Sequence, residues 1–360
     1  MKIAKRNLLA ILALTGLALG GLSFWLAKIN DPWRLPREDW REYQRRFISP
    51  EGRVIDTGNG NVTHSEGQGY GMLLAEAYGD RETFDRLWKW TRQNLQTRPD
   101  DKLLSWLWKP DADGGGSVND PNNASDAELL VAWALVRASK RWGGYAYEQS
   151  AAALLAELRR LALVSTPQGP ELRPGADGFN KDNALVLNPS YYIFPAFDAL
   201  AKTFPGGGWD QLRASGLAMV SSARFGKWSL PPDWVLDESG SYTLGAPFPP
   251  DFGYNAVRVP LHIAWHDPHS PLLAPFADFW KGFPALSGMP ATVNLENGTF
   301  GPHPALPGMQ AVARFVLASR TNTRLTVHDI PPLMPEEPYF SASLKLLTKV
   351  AVRESLGGKR

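Results

Sequence analysis

Beyond residue 36 the apolar positions recur mostly every three to four residues, the spacing of a helix that buries one face. Phe84, Leu87, Trp88 and Thr91 fall on one such face, and Leu129, Ala132, Trp133 and Val136 on another. The pattern predicts about eleven helices, over 37–47, 68–79, 81–96, 126–142, 145–163, 190–204, 209–222, 254–267, 271–283, 307–319 and 338–353, with few strands. Tight turns such as Gly79-Asp80 and Gly143-Gly144 alternate with long Pro/Gly/Asn-rich loops over 97–125, 164–189 and 226–253. Helix pairs separated by long loops describe an all-α toroid whose loops gather at one end and shape a groove. No fixed-period self-similarity supports a solenoid.

The N-terminus departs from this pattern. Lys2, Lys5 and Arg6 precede an uncharged run from Asn7 to Ala27 rich in Leu, Ala and Gly. Cations ahead of such a run read as an export signal or membrane anchor over residues 1–30, with one domain over 31–360 delivered across the membrane to the periplasm or medium. The run reaches the roughly 20 residues that span a bilayer, and Ala18-Leu19-Gly20 is only a fair cleavage site, so cleavage and retention both stay open.

Charge changes the picture by exclusion. A net charge of +2 sets up no field that would gather nucleic acid. The absence of cysteine removes disulfides, thiolate metal sites and a thiol nucleophile. Fourteen Trp, 10 Tyr and 16 Phe fill a core and could also stack on pyranose rings.

Three segments carry candidate chemistry. In Thr63–Met72, Glu66 falls near a helix start among small residues that would let a ligand approach the backbone. A helix N-terminus lowers a carboxyl pKa, so desolvation by aromatic neighbours would have to win for Glu66 to act as a general acid. In Asn122–Leu129, Ser125 and Glu128 have capping-box spacing, and Asp126 is left pointing toward the loop end; from spacing alone, a dipole-favoured carboxylate explains it equally well. The third segment runs from Pro231-Pro232-Asp233-Trp234 to Asp251–Pro260, with Arg258 placed to pair with a carboxylate or sugar hydroxyl. His262 and His266 lack the Glu of a zinc-protease motif, Asp111–Ser117 holds only half a calcium loop, and no Gly-x-Ser-x-Gly elbow occurs; no metal or cofactor is expected.

Taken in order, Glu51-Gly-Arg-Val-Ile-Asp56, Ser65–Met72, Trp106-Leu-Trp108, Ala124–Glu128, Asn188-Pro-Ser-Tyr191, Pro232-Asp-Trp234 and Tyr254-Asn-Ala-Val-Arg258 resemble glycoside hydrolase family 8, most closely its endoglucanases that accompany bacterial cellulose synthases. The resemblance covers roughly 37–353 and implies an (α/α)6 barrel that hydrolyses a β-1,4-glucan with inversion. It makes Glu66 the general acid and Asp126 the carboxylate that holds the distorted sugar and helps place the water. It puts Tyr191, Tyr254 and Arg258 at the same centre, with Trp106 and Trp108 as stacking platforms. Inversion calls for a carboxyl separation of roughly 6.5–9.5 Å between acid and base.

Two positions depart from the family pattern. Glu128 replaces a second Asp, which the capping box can absorb. Asn255 replaces the usual base, and an amide is no general base. Asp251, one turn earlier, is the first substitute, then Asp237 or Glu238, with Asp126 able to take part of the role. The competing readings are hydrolysis of chitosan, xylan or mixed-linkage glucan on the same scaffold, and a glucan-binding protein that has lost catalysis at Asn255. The partners implied are the glucan and the cellulose synthase machinery.

Overall fold

The computed structural model describes residues 31–357 except 183, 246 and 247. The apolar run assigned to export lies outside these residues, and no helix among those described is long and apolar enough to cross a membrane.

Eleven α-helices form among the described residues: α1 (Arg37–Phe47), α2 (Ser65–Tyr78), α3 (Arg81–Asn94), α4 (Ser125–Trp142), α5 (Tyr145–Ala162), α6 (Phe194–Thr203), α7 (Trp209–Ser222), α8 (Arg258–His266), α9 (Ala274–Lys281), α10 (Pro307–Thr321) and α11 (Tyr339–Leu356). Packing arranges them as an (α/α)6 barrel. Helices α2, α4, α6 and α8 follow one another as neighbours, α8 meets α10 and α11, and α11 returns to α2. The burial pattern follows from this arrangement. Helix α11 has thirteen buried residues, Tyr339 and all of Ser341–Val352, whereas outer helix α3 buries six of its fourteen and keeps charges outward.

Two lysines lie in that buried α11, Lys345 and Lys349, each about 1% exposed. Lys345 Nζ lies 2.5 Å from Glu337 and Lys349 Nζ 2.6 Å from Asp39, so neither charge is buried unpaired. The second pair fastens α11 to α1.

Helix boundaries follow local chemistry. Helix α2 stops where Gly79 takes φ +77, and Asp80 then caps α3 by accepting from Thr83 N at 3.0 Å. The same carboxylate accepts from Trp40 Nε1 at 3.0 Å, which ties α1 to the turn.

The long loops hold more strand than the sequence pattern suggests. The antiparallel pieces β1 (Thr63–His64), β2 (Leu107–Pro110) and β3 (Gly116–Asp120) form one sheet. Strands β4 (Leu163–Thr166) and β5 (Gly169–Leu172) form a hairpin, and β6 (Asn180–Lys181), β7 (Ala184–Leu187), β8 (Val235–Glu238) and β9 (Ser241–Thr243) a four-stranded sheet. Strands β10 (Asp251–Phe252) and β11 (Val293–Asn294) pair with each other. Each strand is two to five residues, too short for a period-2 pattern to stand out.

Candidate active site

The first turns of three inner helices converge. Glu66 is the second residue of α2, Asp126 the second of α4 and Arg258 the first of α8. Their side chains meet in an open cavity of about 240 Å³. Arg258 is 3% exposed and holds the cluster together. Its Nη1 donates to Glu66 Oε2, to Asp126 Oδ2 at 3.1 Å and to Tyr70 Oη at 2.9 Å, while Nη2 donates to Asn255 Oδ1 at 2.7 Å.

The environments of the two carboxyls differ. Burial pushes both toward the neutral form, but Glu66 lies directly on the guanidinium, and that attraction holds it below the usual carboxylate range. Asp126 is 1% exposed, and burial followed by the negative charge of Glu66 pushes it well above that range. Its Oδ1 is buried without a donor among the described residues, so nothing on that side favours the charged form. The two carboxyls are thus pushed in opposite directions, Glu66 toward the charged form and Asp126 toward the neutral one. For Glu66 the burial that a general acid needs is outweighed by Arg258, a partner that the helix start alone does not reveal.

The glycines of the Glu66 segment also work differently from expectation. A Cβ on Gly69 would stand 2.6 Å from Leu130 Cβ of α4, and one on Gly67 would stand 2.6 Å from Tyr339 Oη. They let inner helices touch rather than admit a ligand. Between them Gln68 is fully buried, accepting from Val54 N at 2.6 Å and donating to Thr91 Oγ1 at 2.8 Å. It locks the chain entering α2.

The capping box at Ser125 does not form. The residue before α4 is Ala124 and makes no side-chain cap, while Ser125 Oγ donates to Arg173 O at 2.6 Å. Glu128 instead accepts from Leu104 N at 2.9 Å and Asn123 Nδ2 at 3.0 Å, which pins the 97–124 loop over α4. Burial raises its carboxyl to about 7 despite those donors.

The other assigned residues separate into two groups. Trp106, Tyr191, Tyr254 and Asn255 line the cavity with Glu66, Asp126 and Arg258. Tyr191 closes the 3-10 turn Pro189–Tyr191, with the Arg258 guanidinium 5.9 Å from its ring. Tyr254 is 41% exposed and meets Phe340 edge-on at 5.8 Å.

Trp108 does not reach the cavity. It is 7% exposed, packs edge-on against Trp90 at 5.5 Å and lies under the Arg53 guanidinium. Two residues apart on a regular strand would place Trp106 and Trp108 on one face. The β2–β3 register slips between Leu107 and Trp108, and Trp106 precedes β2. That breaks the alternation.

Of the substitute bases only Asp126 lines the cavity; Asp251, Asp237 and Glu238 do not. Asp251 sits in β10 opposite Asn294, where its carbonyl accepts from Asp233 N at 2.7 Å. Asp237 is buried and accepts from Gly240 N at 2.6 Å, and Glu238 is exposed at the far end of β8. Asp233, quoted only as part of a motif, acts as the anchor of this region. Its Oδ1 accepts from Gly253 N at 3.0 Å, Asn255 N at 3.1 Å and Ala256 N at 2.6 Å, fixing Asn255 and the approach to α8. Burial lifts this carboxyl to about 6 even so.

The two histidines diverge. His266 Nδ1 lies 2.5 Å from Asp198, whereas His262 is buried beneath Arg258 and held to about 3, first by burial and then by that charge.

Sequence reasoning missed several wall residues: Asp56, His64, Tyr339 and Phe340. Asp56 ends the first quoted motif, and its carboxylate lies 3.8 Å from His64 Nε2; two polar residues flanking the Glu66 helix were the available signal. Tyr339 and Phe340 arrive from the start of α11 and carry no local signal.

Comparison with known proteins agrees with this geometry. The family model described as glycosyl hydrolases family 8 matches residues 17–354. An endoglucanase of Cellulomonas uda is 39% identical over 294 residues, covering 80% of this chain and 81% of its own. The crystal structure of endoglucanase Cel10 from Klebsiella pneumoniae superposes with a TM-score of 0.82 at 37% identity, covering 88% of this chain and 99% of that one. The endo-beta-1,4-glucanase CMCax from Acetobacter xylinum gives a TM-score of 0.79 at 38% identity, covering 88% and 98%. A barrel of paired helices, a carboxyl pair bridged by one arginine and a match over nearly the whole chain lead to one conclusion: this chain belongs to glycosyl hydrolases family 8.

Proposed function

We propose that this protein is an inverting endo-β-1,4-glucanase acting on cellulose-like chains outside the cytoplasm. The observation that carries the reading is the Glu66–Asp126–Arg258 cluster on the floor of an open cavity walled by Trp106, Tyr191 and Tyr254. An open groove with aromatic walls suits an internal stretch of a flat glucan. The endoglucanases it resembles support the same substrate class.

In this reading the proton stored on Asp126 passes to Glu66 and on to the leaving glycosidic oxygen. Glu66 is the member that faces substrate, with a side chain 21% exposed against 1% for Asp126. Both carboxyls bond one guanidinium nitrogen, far closer than the roughly 6.5–9.5 Å an inverting pair leaves for water. Asp126 is accordingly the proton partner of the acid and not the base. Asn255, fixed by Arg258, holds the water without deprotonating it. The remaining wall carboxylate, Asp56, is the candidate acceptor of the water's proton.

Export rests on the cations and apolar run before residue 28. The described chain enters at the end of the barrel opposite the cavity, where Trp40 stacks on Tyr78 at the finish of α2. An anchored form would thus turn its groove away from the membrane. A place beside the cellulose synthase machinery rests on the family resemblance.

The test is reducing-end release from carboxymethylcellulose by residues 31–360, with Glu66→Gln as control and the anomer of the product read by NMR. Activity that the substitution removes supports the reading, and full activity in the variant refutes the acid. Tight binding of cello-oligosaccharides with no cleavage of cellulose, xylan, chitosan or mixed-linkage glucan favours the binding-protein alternative, for which Asn255 is the specific motive.

A further inference from the structure

Among the described residues four large apolar side chains stand exposed, and two of them, Tyr254 and Phe300, lie toward the cavity end of the barrel. Tyr254 belongs to the cavity, but Phe300, 50% exposed, has no part in the chemistry above. It is carried by the segment between α9 and α10. That segment enters α10 at the level of the cavity wall, because Gly308 N donates to Ser341 Oγ, one residue beyond Phe340.

The tip that presents Phe300 is closed by its own hydrogen bonds. Asn294 N donates to Thr299 O at 2.9 Å, Gly298 N to Asn294 O at 2.9 Å, and Asn294 Oδ1 accepts from Glu296 N and Asn297 N at 3.1 and 3.0 Å. Thr299 N and Oγ1 both donate to Asn297 Oδ1. Phe300 bridges back to Val293, whose strand pairs with Phe252, two residues before Tyr254. The small β10–β11 sheet thus links the Phe300 segment to the chain that leads to Tyr254.

Beneath its exposed ring Phe300 is backed by aromatics. Trp228 lies 5.4 Å away at 25°, with Phe283 at 5.8 Å, and the Lys227 ammonium stands 4.2 Å over Trp228. Half of the Phe300 surface is left open, and the polar Lys227 lies beside Gly298 of the same tip. That is the complement of a β-linked glucose unit, whose C–H faces are apolar and whose edges carry hydroxyls. A single exposed side chain needs no explanation, but a hydrogen-bonded hairpin spent on holding an aromatic against an aromatic bed does.

We propose that Phe300 and Trp228 form an auxiliary glucan-binding platform, which holds a β-1,4-glucan chain whose other part occupies the cavity. This rests on the endoglucanase reading. It commits the platform to long chains, since a short oligosaccharide fills the cavity alone.

The test compares Phe300→Ala and Phe300→Tyr with the parent in two assays. One is retardation of the Glu66→Gln form in gels containing hydroxyethylcellulose; the other is the ratio of kcat/KM on amorphous cellulose to kcat/KM on cellotetraose. The alanine variant is expected to lose about three- to tenfold in polymer retardation and in that ratio, and the tyrosine variant to restore both. An alanine variant equal to the parent in both assays overturns the platform, as does a tyrosine variant as impaired as the alanine. A parent that neither binds nor cleaves any glucan overturns the endoglucanase reading first and the platform with it.

Discussion

Arg258→Met removes the cation from the cluster while keeping most of its apolar volume. The guanidinium lies 3.1 Å from Asp126 and closer to Glu66. At an effective dielectric of 20 one such contact is worth about 5 kcal/mol before desolvation. The net loss on breaking a buried pair is about 3–5 kcal/mol, since the partner charge on Glu66 stays behind. A domain of this size loses about 2 °C of Tm per kcal/mol, so a drop of roughly 6–10 °C is expected.

The pH dependence makes this prediction specific. Glu66 is depressed in the folded state, so its ionic contribution is present above its unfolded value near 4.5 and is lost as pH falls through the lower folded value. Without Arg258 both carboxyls titrate upward, and the variant deficit should be largest near pH 7.5 and shrink toward pH 4. Differential scanning calorimetry of parent and variant at pH 4, 5.5 and 7.5 gives the answer. Adding Glu66→Gln should recover part of the loss at pH 7.5, because it removes the carboxylate left unpaired. A deficit equal at all three pH values, or absent, would refute the electrostatic account of the cluster.

Three further predictions test other parts of the structure. Glu171 is 1% exposed, accepts from Tyr192 Oη and from Tyr242 Oη at 3.2 Å, and is raised by burial to about 7 from 4.5. It stabilises the fold fully below pH 4.5 and loses that contribution as pH rises through 7, a span worth roughly 3 kcal/mol at most. Glu171→Gln should flatten the fall in urea stability between pH 5 and 8 by that share, and parallel curves would count against it. Gly69→Ala should cost about 1–3 kcal/mol although alanine favours helix, because its Cβ would meet Leu130 Cβ at 2.6 Å. Turnover should fall as well, since α2 and α4 carry Glu66 and Asp126; an unchanged Tm would show that the helices can part freely. Asn255→Asp sets a carboxylate at the 2.7 Å contact with Arg258 Nη2. It should raise kcat on carboxymethylated or amorphous cellulose by supplying a base, and a lower kcat would mean that the amide is tuned for its place.

Much of this protein was legible along the chain. The 3.6-residue spacing located all eleven helices because each buries a continuous face, and that signal survives without knowledge of the partner. Boundaries slipped where local chemistry differs from periodicity: α2 begins at Ser65 rather than 68, and α8 at Arg258 rather than 254. Glu66, Asp126 and Arg258 stood out as polar residues near predicted helix starts, and their roles came only from the family resemblance.

Partnership across the barrel was not legible. The direction in which Glu66 is pushed depends on Arg258 from 192 residues away, which no local pattern encodes. Trp108 turned inward through a register slip, Asp251 was drawn into a strand, and Ser125 found Arg173 in place of its own helix end. By itself the sequence determined the helices, the loops between them and the residues presented at the helix starts, because these depend on contacts within a few residues. Only the tertiary structure decided which of those residues meet and in which direction each carboxyl is pushed, because burial and Coulomb interactions act through space between segments brought together by the closure of the barrel.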